Sequence, residues 1–312
     1  AGIATTFAPS LGLVVLCAAI LPGLVFLGWS PWLERLYRRE GLIKTANLTA
    51  RRPVVNPRMT VAVMAHHDSK SQSLTFPFRM GLTVLSILGC LTLVVVASLS
   101  LFSGPDLAGP TLSPIVSLAT GACVALLSMM KSGNHSPGGV DNAGSVGILL
   151  ALARILPEEI STDVELIFLS TGAEEDHMVG AMRWLDENAE EMRERPVFCI
   201  NLDGAGAPGR PVLIERFGFG RIFSAEMSAA ARKAAARLGL RPRGILMLPG
   251  IGIDSIPFAH RGIPCLTFSS GSLGRATMSV HSANDRAEHL DPKTLEDVAN
   301  LALETIMELV RT

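Results

Sequence analysis

Seven residues stand where their side chains could do metal-assisted chemistry, at the exits of strand-like runs or in turns: His66, Asp68, Asp141, Glu174, Glu175, Asp203 and His281. Glu174 and Glu175 follow Val164–Leu169, an apolar, β-branched run that reads as a buried strand. In an open α/β sheet, ligands and catalytic groups gather outside the carboxyl ends of the strands. Two further runs end the same way: Val61–Ala65 delivers His66, His67 and Asp68, and Val197–Leu202 delivers Asp203. Asp141 stands just before the helix-like run Ala143–Ala153, and His281 lies in the polar turn Ser279–Asp285. Two imidazoles and three carboxylates are a usual ligand set for zinc. A single strand-end Asp is more often a turn or helix cap, and a lone His a satisfied polar group. Neither explains five such groups in these settings.

The elements that position these residues come in an order of their own. The ordered motifs Ala65-His-His-Asp-Ser69, Pro137-Gly-Gly-Val-Asp-Asn-Ala-Gly144, Gly172-Ala-Glu-Glu175, Ile200-Asn-Leu-Asp203 and His281-Ser-Ala-Asn-Asp285 resemble the co-catalytic di-zinc aminopeptidases of the bacterial leucyl aminopeptidase and aminopeptidase S type. The resemblance covers roughly residues 40 to 312, apart from one insertion. It implies the zinc exopeptidase fold, an α/β architecture with a largely parallel mixed sheet covered by helices on both faces. It also implies two zinc ions per chain: His66 and Asp203 on one, Glu175 and His281 on the other, Asp141 bridging. Glu174 is then the general base, and Asp68 holds His66 from behind. Two zinc ions about 3.5–4 Å apart lower the pKa of a water and polarise a scissile carbonyl, while a carboxylate moves the proton to the leaving amine. The implied reaction is hydrolysis of an N-terminal peptide bond, with a peptide as substrate. Two other classes compete: an acyltransferase like the glutaminyl cyclases, working with one zinc, and a non-enzymatic membrane scaffold. The filled ligand positions favour two metals and weigh against the scaffold.

Composition sets the surroundings. Hydrophobic residues make up 48% of the chain and charged residues only 18%, with a mean hydropathy of +0.39; this is too apolar for an ordinary soluble domain. The excess is local. Leu11–Trp29 is long and apolar enough to span a bilayer core of about 30 Å; a cleaved signal peptide is the weaker reading, since no basic region precedes the run. Between Arg79 and Lys131 the only charged residue is Asp106, and the runs Gly81–Phe102 and Leu112–Met130 read as a transmembrane hairpin. The expected organisation is a membrane segment at 1–31, a first part of the zinc peptidase domain at 32–79, the inserted hairpin at 80–131 and the remainder at 132–312. That makes a multi-pass protein with three transmembrane helices and the lipid bilayer as partner. Segment 34–79 holds nine Lys or Arg against three Asp or Glu, while the hairpin turn holds Asp106 alone; the positive-inside rule then puts the catalytic domain on the cytoplasmic face.

Elsewhere the pattern predicts helices at Pro31–Arg39, Asp176–Arg193, Arg221–Leu238 and Pro292–Val310, and strands near Leu42–Thr49, Gly244–Leu248 and Cys265–Phe268. Gly204-Ala-Gly-Ala-Pro-Gly209 matches a dinucleotide fingerprint, but Pro208, Pro211 and the following Val-Leu-Ile run oppose the required helix, so it reads as a turn. The basic stretch around Arg232, Lys233 and Arg237 reads as a solvated face; a net charge of −1 gives no pull toward nucleic acid. His67, His135, His177, His260 and His289 read as surface or loop residues, with His177 close enough to Glu175 to line a cleft. The five cysteines show no metal or disulfide pattern. Phe217–Gly220 and Leu248–Ile253 are the expected pocket walls; the side-chain preference and the oligomeric state stay open.

Overall fold

The computed structural model describes residues 45–103, 109–188, 190–247, 251–272 and 274–311. The expected span at Leu11–Trp29 and helix at Pro31–Arg39 lie outside them. The described residues divide into two compact units: Gln72–Gly133, and the residues up to Ser71 together with those from Asn134 onward.

The larger unit is built on an eight-stranded sheet. Its strands are β1 (Leu48–Arg52), β2 (Met59–His66), β3 (Val164–Thr171), β4 (Val197–Leu202), β5 (Arg210–Phe217), β6 (Arg221–Ile222), β7 (Arg243–Met247) and β8 (Cys265–Gly271), and the order across the sheet is β1-β3-β2-β4-β8-β5-β6, with β7 also on β5. The central strands β3, β2, β4 and β8 run parallel; β1 on β3, β5 on β8 and β6 on β5 pair antiparallel, and β7 pairs parallel to β5. All eight residues of β2 are buried, as expected of a strand covered on both faces.

Strand alternation divides the core in two. Val61, Val63, Ala65, Val164, Leu166 and Phe168 face one cluster, while Ala62, Met64, Ile167 and Leu169 face the other. The first cluster is covered by α3 (Gly144–Glu159), α5 (Ala225–Arg237) and α7 (Pro292–Arg311), and the second by α4 (Val179–Asn188) and α6 (Ser255–His260). Val298, Leu301, Ala302, Thr305, Ile306 and Leu309 give α7 one buried stripe at helical spacing. It meets Ala230, Ala231, Ala234 and Ala235 of α5, whose small side chains allow close approach. The basic residues of α5 point outward: Arg232 pairs with Glu215, and Lys233 and Arg237 pair with Glu308.

The smaller unit contains α1 (Phe76–Ser103) and α2 (Gly109–Ser128), which hold two of the expected apolar runs. Both are long and apolar enough to cross a membrane. Large apolar side chains such as Leu85, Leu88, Leu91, Ile115 and Leu118 are exposed, whereas Ala97, Ser100, Ser113 and Thr120 are buried. Gly89 lets the two helices touch, since a Cβ there would meet the Thr120 side chain. Gly139–Glu159 also has the length and hydropathy of a span, but half of it is buried. Its Ile148, Leu149, Leu152 and Leu156 cover the sheet, so α3 is a core helix.

Several expected elements shift. The first described strand covers Leu48–Arg52; of the strand expected near Leu42–Thr49, residues 42–44 lie outside the described residues and 45–47 are not in a strand. The helix expected at Asp176–Arg193 shortens to Val179–Asn188, followed by a separate turn at Glu191–Arg193. That expected at Arg221–Leu238 is divided, with Arg221–Ile222 in β6 and Ser224 capping α5 by accepting from the Met227 N–H. Strand β5 and helix α6 are additions.

Candidate metal centre

Three neighbouring parallel strands deliver the site. His66 is the last residue of β2 and is 1% exposed. The register sets it beside Thr171, the last residue of β3. From there Gly172 and Ala173 turn the chain toward Glu174 and Glu175. Asp203 follows β4 directly, its N–H donating to the Phe268 carbonyl at 3.0 Å. Asp141 lies in a distorted turn, Gly139–Ala143, with non-helical backbone at Asp141 and Asn142 and a cis peptide bond between them. Gly139 is required there, because a Cβ would fall 2.4 Å from the Arg286 carbonyl carbon.

All five expected ligand residues converge. His66 Nε2 is 3.2 Å from Asp141 Oδ1 and 3.8 Å from Asp203 Oδ1. His281 Nε2 is 3.0 Å from Asp141 Oδ2 and 2.9 Å from Glu175 Oε1. The result is two groups with metal-holding geometry, His66–Asp141–Asp203 and Asp141–Glu175–His281, each with its ligand atoms within 4.8 Å of one another. They share Asp141, one carboxylate oxygen to each.

The donors fit metal ions better than they fit each other. Glu175 Oε1 is buried and accepts no hydrogen bond among the described residues, although His281 Nε2 is 2.9 Å away. Contact without hydrogen-bond direction is what two ligand atoms aimed at a common point produce. Glu174 Oε2 lies 3.9 Å from His66 Nε2, beside the first group.

Electrostatics agree. Burial disfavours charge on the His66 imidazole, but Glu174, Asp141, Asp203 and Asp68 together raise its pKa well above the usual value. Burial likewise opposes protonation of His281, yet Asp141 and Glu175 hold its proton up to about 9. Burial works against the Asp141 carboxylate, and the two histidines overcome it and pull its pKa down. Glu174 moves the other way: burial, reinforced by the charges of Asp203, Asp254 and Glu175, raises its pKa well above the ordinary value. A carboxyl that binds protons this readily is suited to proton transfer.

Asp68 supports the site in more ways than the sequence suggests. His66 Nδ1 bonds to the Asp68 backbone carbonyl at 3.1 Å, with carboxylate Oδ1 at 3.6 Å. The two carboxylate oxygens accept from the N–H groups of Glu174 at 3.1 Å and Glu175 at 3.2 Å. Other supporting residues had no role assigned from the sequence. Asp285 accepts from the N–H groups of Val140 at 2.7 Å and Asp141 at 3.2 Å. Asn142 donates to the carbonyls of His66 and Leu202 and accepts from Gly204 N–H, tying the ends of β2 and β4 to the Asp141 turn. Thr171 donates to the buried Asp254 carboxyl, whose pKa burial raises to about 7. Asn142 and Asp285 stand inside recognisable motifs; Asp254 had only its position ahead of Ser-Ile-Pro-Phe as a signal.

Of the expected pocket walls, Phe217 is a core residue, stacked on Phe223 with ring centroids 4.4 Å apart. In the second loop, a Cβ on Gly252 would lie 3.4 Å from the end of the Met178 side chain. Residues 248–250 lie outside the described residues.

Fold and site together define a zinc-peptidase architecture, and the profile of peptidase family M28 matches residues 117–306, more than half of the chain. The chain belongs to that family. Aminopeptidase YwaD of Bacillus subtilis is 25% identical over 178 residues, covering 56% of this chain and 38% of its own length. Among solved structures, BSAP, a zinc aminopeptidase from Bacillus subtilis, matches 84% of this chain and 50% of its own with a TM-score of 0.55 and 20% identity. LapA of Legionella pneumophila matches 88% and 59%, with a TM-score of 0.56 and 14% identity. At these identities the structural likeness shows the fold. The chain thus spans between 38% and 59% of the length of these relatives.

Proposed function

We propose that this chain is a membrane-anchored zinc aminopeptidase. The observation that carries the reading is the pair of ligand groups joined through Asp141. His66 and Asp203 would hold one zinc ion, Glu175 and His281 the other, and Asp141 both. Zinc bound there would supply Lewis-acid polarisation of a carbonyl and activation of a water. The residues do the rest. Glu174, buried with a raised pKa, accepts the proton of the attacking water and delivers it to the departing amine. Asp68 fixes the backbone of Glu174 and Glu175, so that the base and its metal-binding neighbour keep one geometry.

Purified full-length chain should contain about two zinc ions and release N-terminal residues from aminoacyl substrates. About one zinc with cyclisation of N-terminal glutamine would replace this reading with a glutaminyl-cyclase-like one, a class that shares the fold at a TM-score of 0.51. No zinc would end it.

The apolar surfaces of α1 and α2 support a hairpin embedded in lipid. With the basic excess of segment 34–79, they favour a catalytic unit in the cytoplasm. A cysteine placed beside Asp106 should then react with a membrane-impermeant thiol reagent in intact cells; reaction only after lysis reverses the orientation.

A further inference from the structure

The ammonium of Lys70 lies 2.6 Å from the backbone carbonyl oxygen of Glu175 and 3.1 Å from its carboxylate Oε2. The other carboxylate oxygen, Oε1, is the one that faces His281. Two residues earlier, Asp68 accepts from the N–H groups of Glu174 and Glu175. Residues 68 to 70 therefore grip Glu175 at its N–H, its carbonyl and one of its two carboxylate oxygens.

We infer that Lys70 is a positioning residue for the metal centre, which holds Glu175 as a one-oxygen ligand facing His281 and Asp141. The inference rests on the zinc reading above and extends it to a side chain that binds no metal itself. Charge supports the assignment. Asp68, Asp141, Glu174, Glu175 and Asp203 bring five carboxyl groups together around the two histidines. Lys70 is, among the described residues, the Lys or Arg paired with one of those five. Geometry supports it too. A carboxylate on a loop can swing between one-oxygen and two-oxygen ligation; an ammonium fixed to Oε2 and to the same residue's carbonyl removes that freedom. Partners of this kind orient the ligands they touch, and their loss costs about 10–100-fold in metal affinity.

The test is a zinc titration of the full-length chain in detergent, comparing the wild type with Lys70→Met and Lys70→Arg. Lys70→Met should weaken one of the two zinc equivalents by about 10–100-fold and leave the other in place, and Lys70→Arg should recover most of the loss. The weakened equivalent should be the one that His281→Ala removes, so Lys70→Met added to His281→Ala should change zinc binding no further. Unchanged affinity in Lys70→Met, or equal weakening of both equivalents, overturns the inference while leaving the zinc reading intact; a wild type that binds no zinc overturns both. If Lys70→Met does not fold, Lys70→Gln, uncharged but still able to donate to the carbonyl, serves in the same comparison with the same outcomes.

Discussion

The two halves of the candidate metal centre, the ligand groups that meet at Asp141, are built differently. His66 ends β2 and Asp203 follows β4, two central strands that pair with each other, and Asn142 bonds to the backbone at both strand ends. Glu175 and His281 stand on loops instead. His281 itself, with φ 63°, and Ala173, with φ 54°, occupy the left-handed region that non-glycine residues rarely adopt. Such backbone costs on the order of 1 kcal/mol per residue or more and persists only where neighbours enforce it. The strand-borne half is fixed by the sheet, whereas Glu175 of the loop-borne half is held by side chains, Asp68 at its N–H and Lys70 at its carbonyl and Oε2. Damage to the clamps should therefore be selective, and damage to what the halves share should not.

The largest effect should come from a residue that belongs to neither ligand group. Glu174→Gln removes the proton shuttle without touching a ligand, so turnover should fall by about 10²–10⁴-fold with zinc content unchanged. Near-normal turnover would remove Glu174 from the mechanism. Next, Asp141→Ala takes one ligand from each half and should cost more zinc than either His66→Ala or His281→Ala, measured as metal retained after dialysis. Equal retention in the three variants would mean that the halves are independent.

A smaller effect is expected at Asp285, which holds the Asp141 turn through two backbone N–H groups. Asp285→Ala leaves both without that acceptor and should destabilise the chain by about 1–3 kcal/mol, read from denaturant unfolding of the metal-free protein; an unchanged midpoint would show that the turn holds without it.

The smallest is a pH effect on the loop-borne half. His281 holds its proton to about 9, above the ordinary 6.5. A raised histidine pKa stabilises the metal-free chain fully below about 6.5, and this contribution is lost as pH rises through about 9. Zinc needs the neutral imidazole, so its affinity should rise over the same window. A metal-free melting temperature that stays level between those pH values would contradict this ion-pair picture.

Much of this was legible in the sequence because strands and ligands obey local rules. Val61–Ala65, Val164–Leu169 and Val197–Leu202 announce buried strands by composition, and their exits carry His66, Glu174, Glu175 and Asp203. The length of β5 was hidden, since Arg210 and Pro211 at its start look like turn residues while the strand runs on to Phe217. The outer supports were hidden for another reason. Lys70 meets Glu175, and Asp254 meets Thr171, across separations of 105 and 83 residues. Only the folded topology makes these pairs neighbours. Phe217 shows the same limit, because a Gly-flanked aromatic can serve a pocket or the core, and packing decides.

Strand β2 has a history that its final burial conceals. Both of its partners, β3 and β4, lie on the far side of the α1–α2 segment, with 97 residues between His66 and Val164. At a synthesis rate of about 5–20 residues per second, β2 waits roughly 5 to 20 s after it is made before the first partner strand begins to appear. During that interval its apolar residues and its unpaired edges have no native strand to meet, and the ladder that finally forms is long-range and slow to close. The strand that carries His66 is thus exposed to mispairing on both of its edges while the chain is being made.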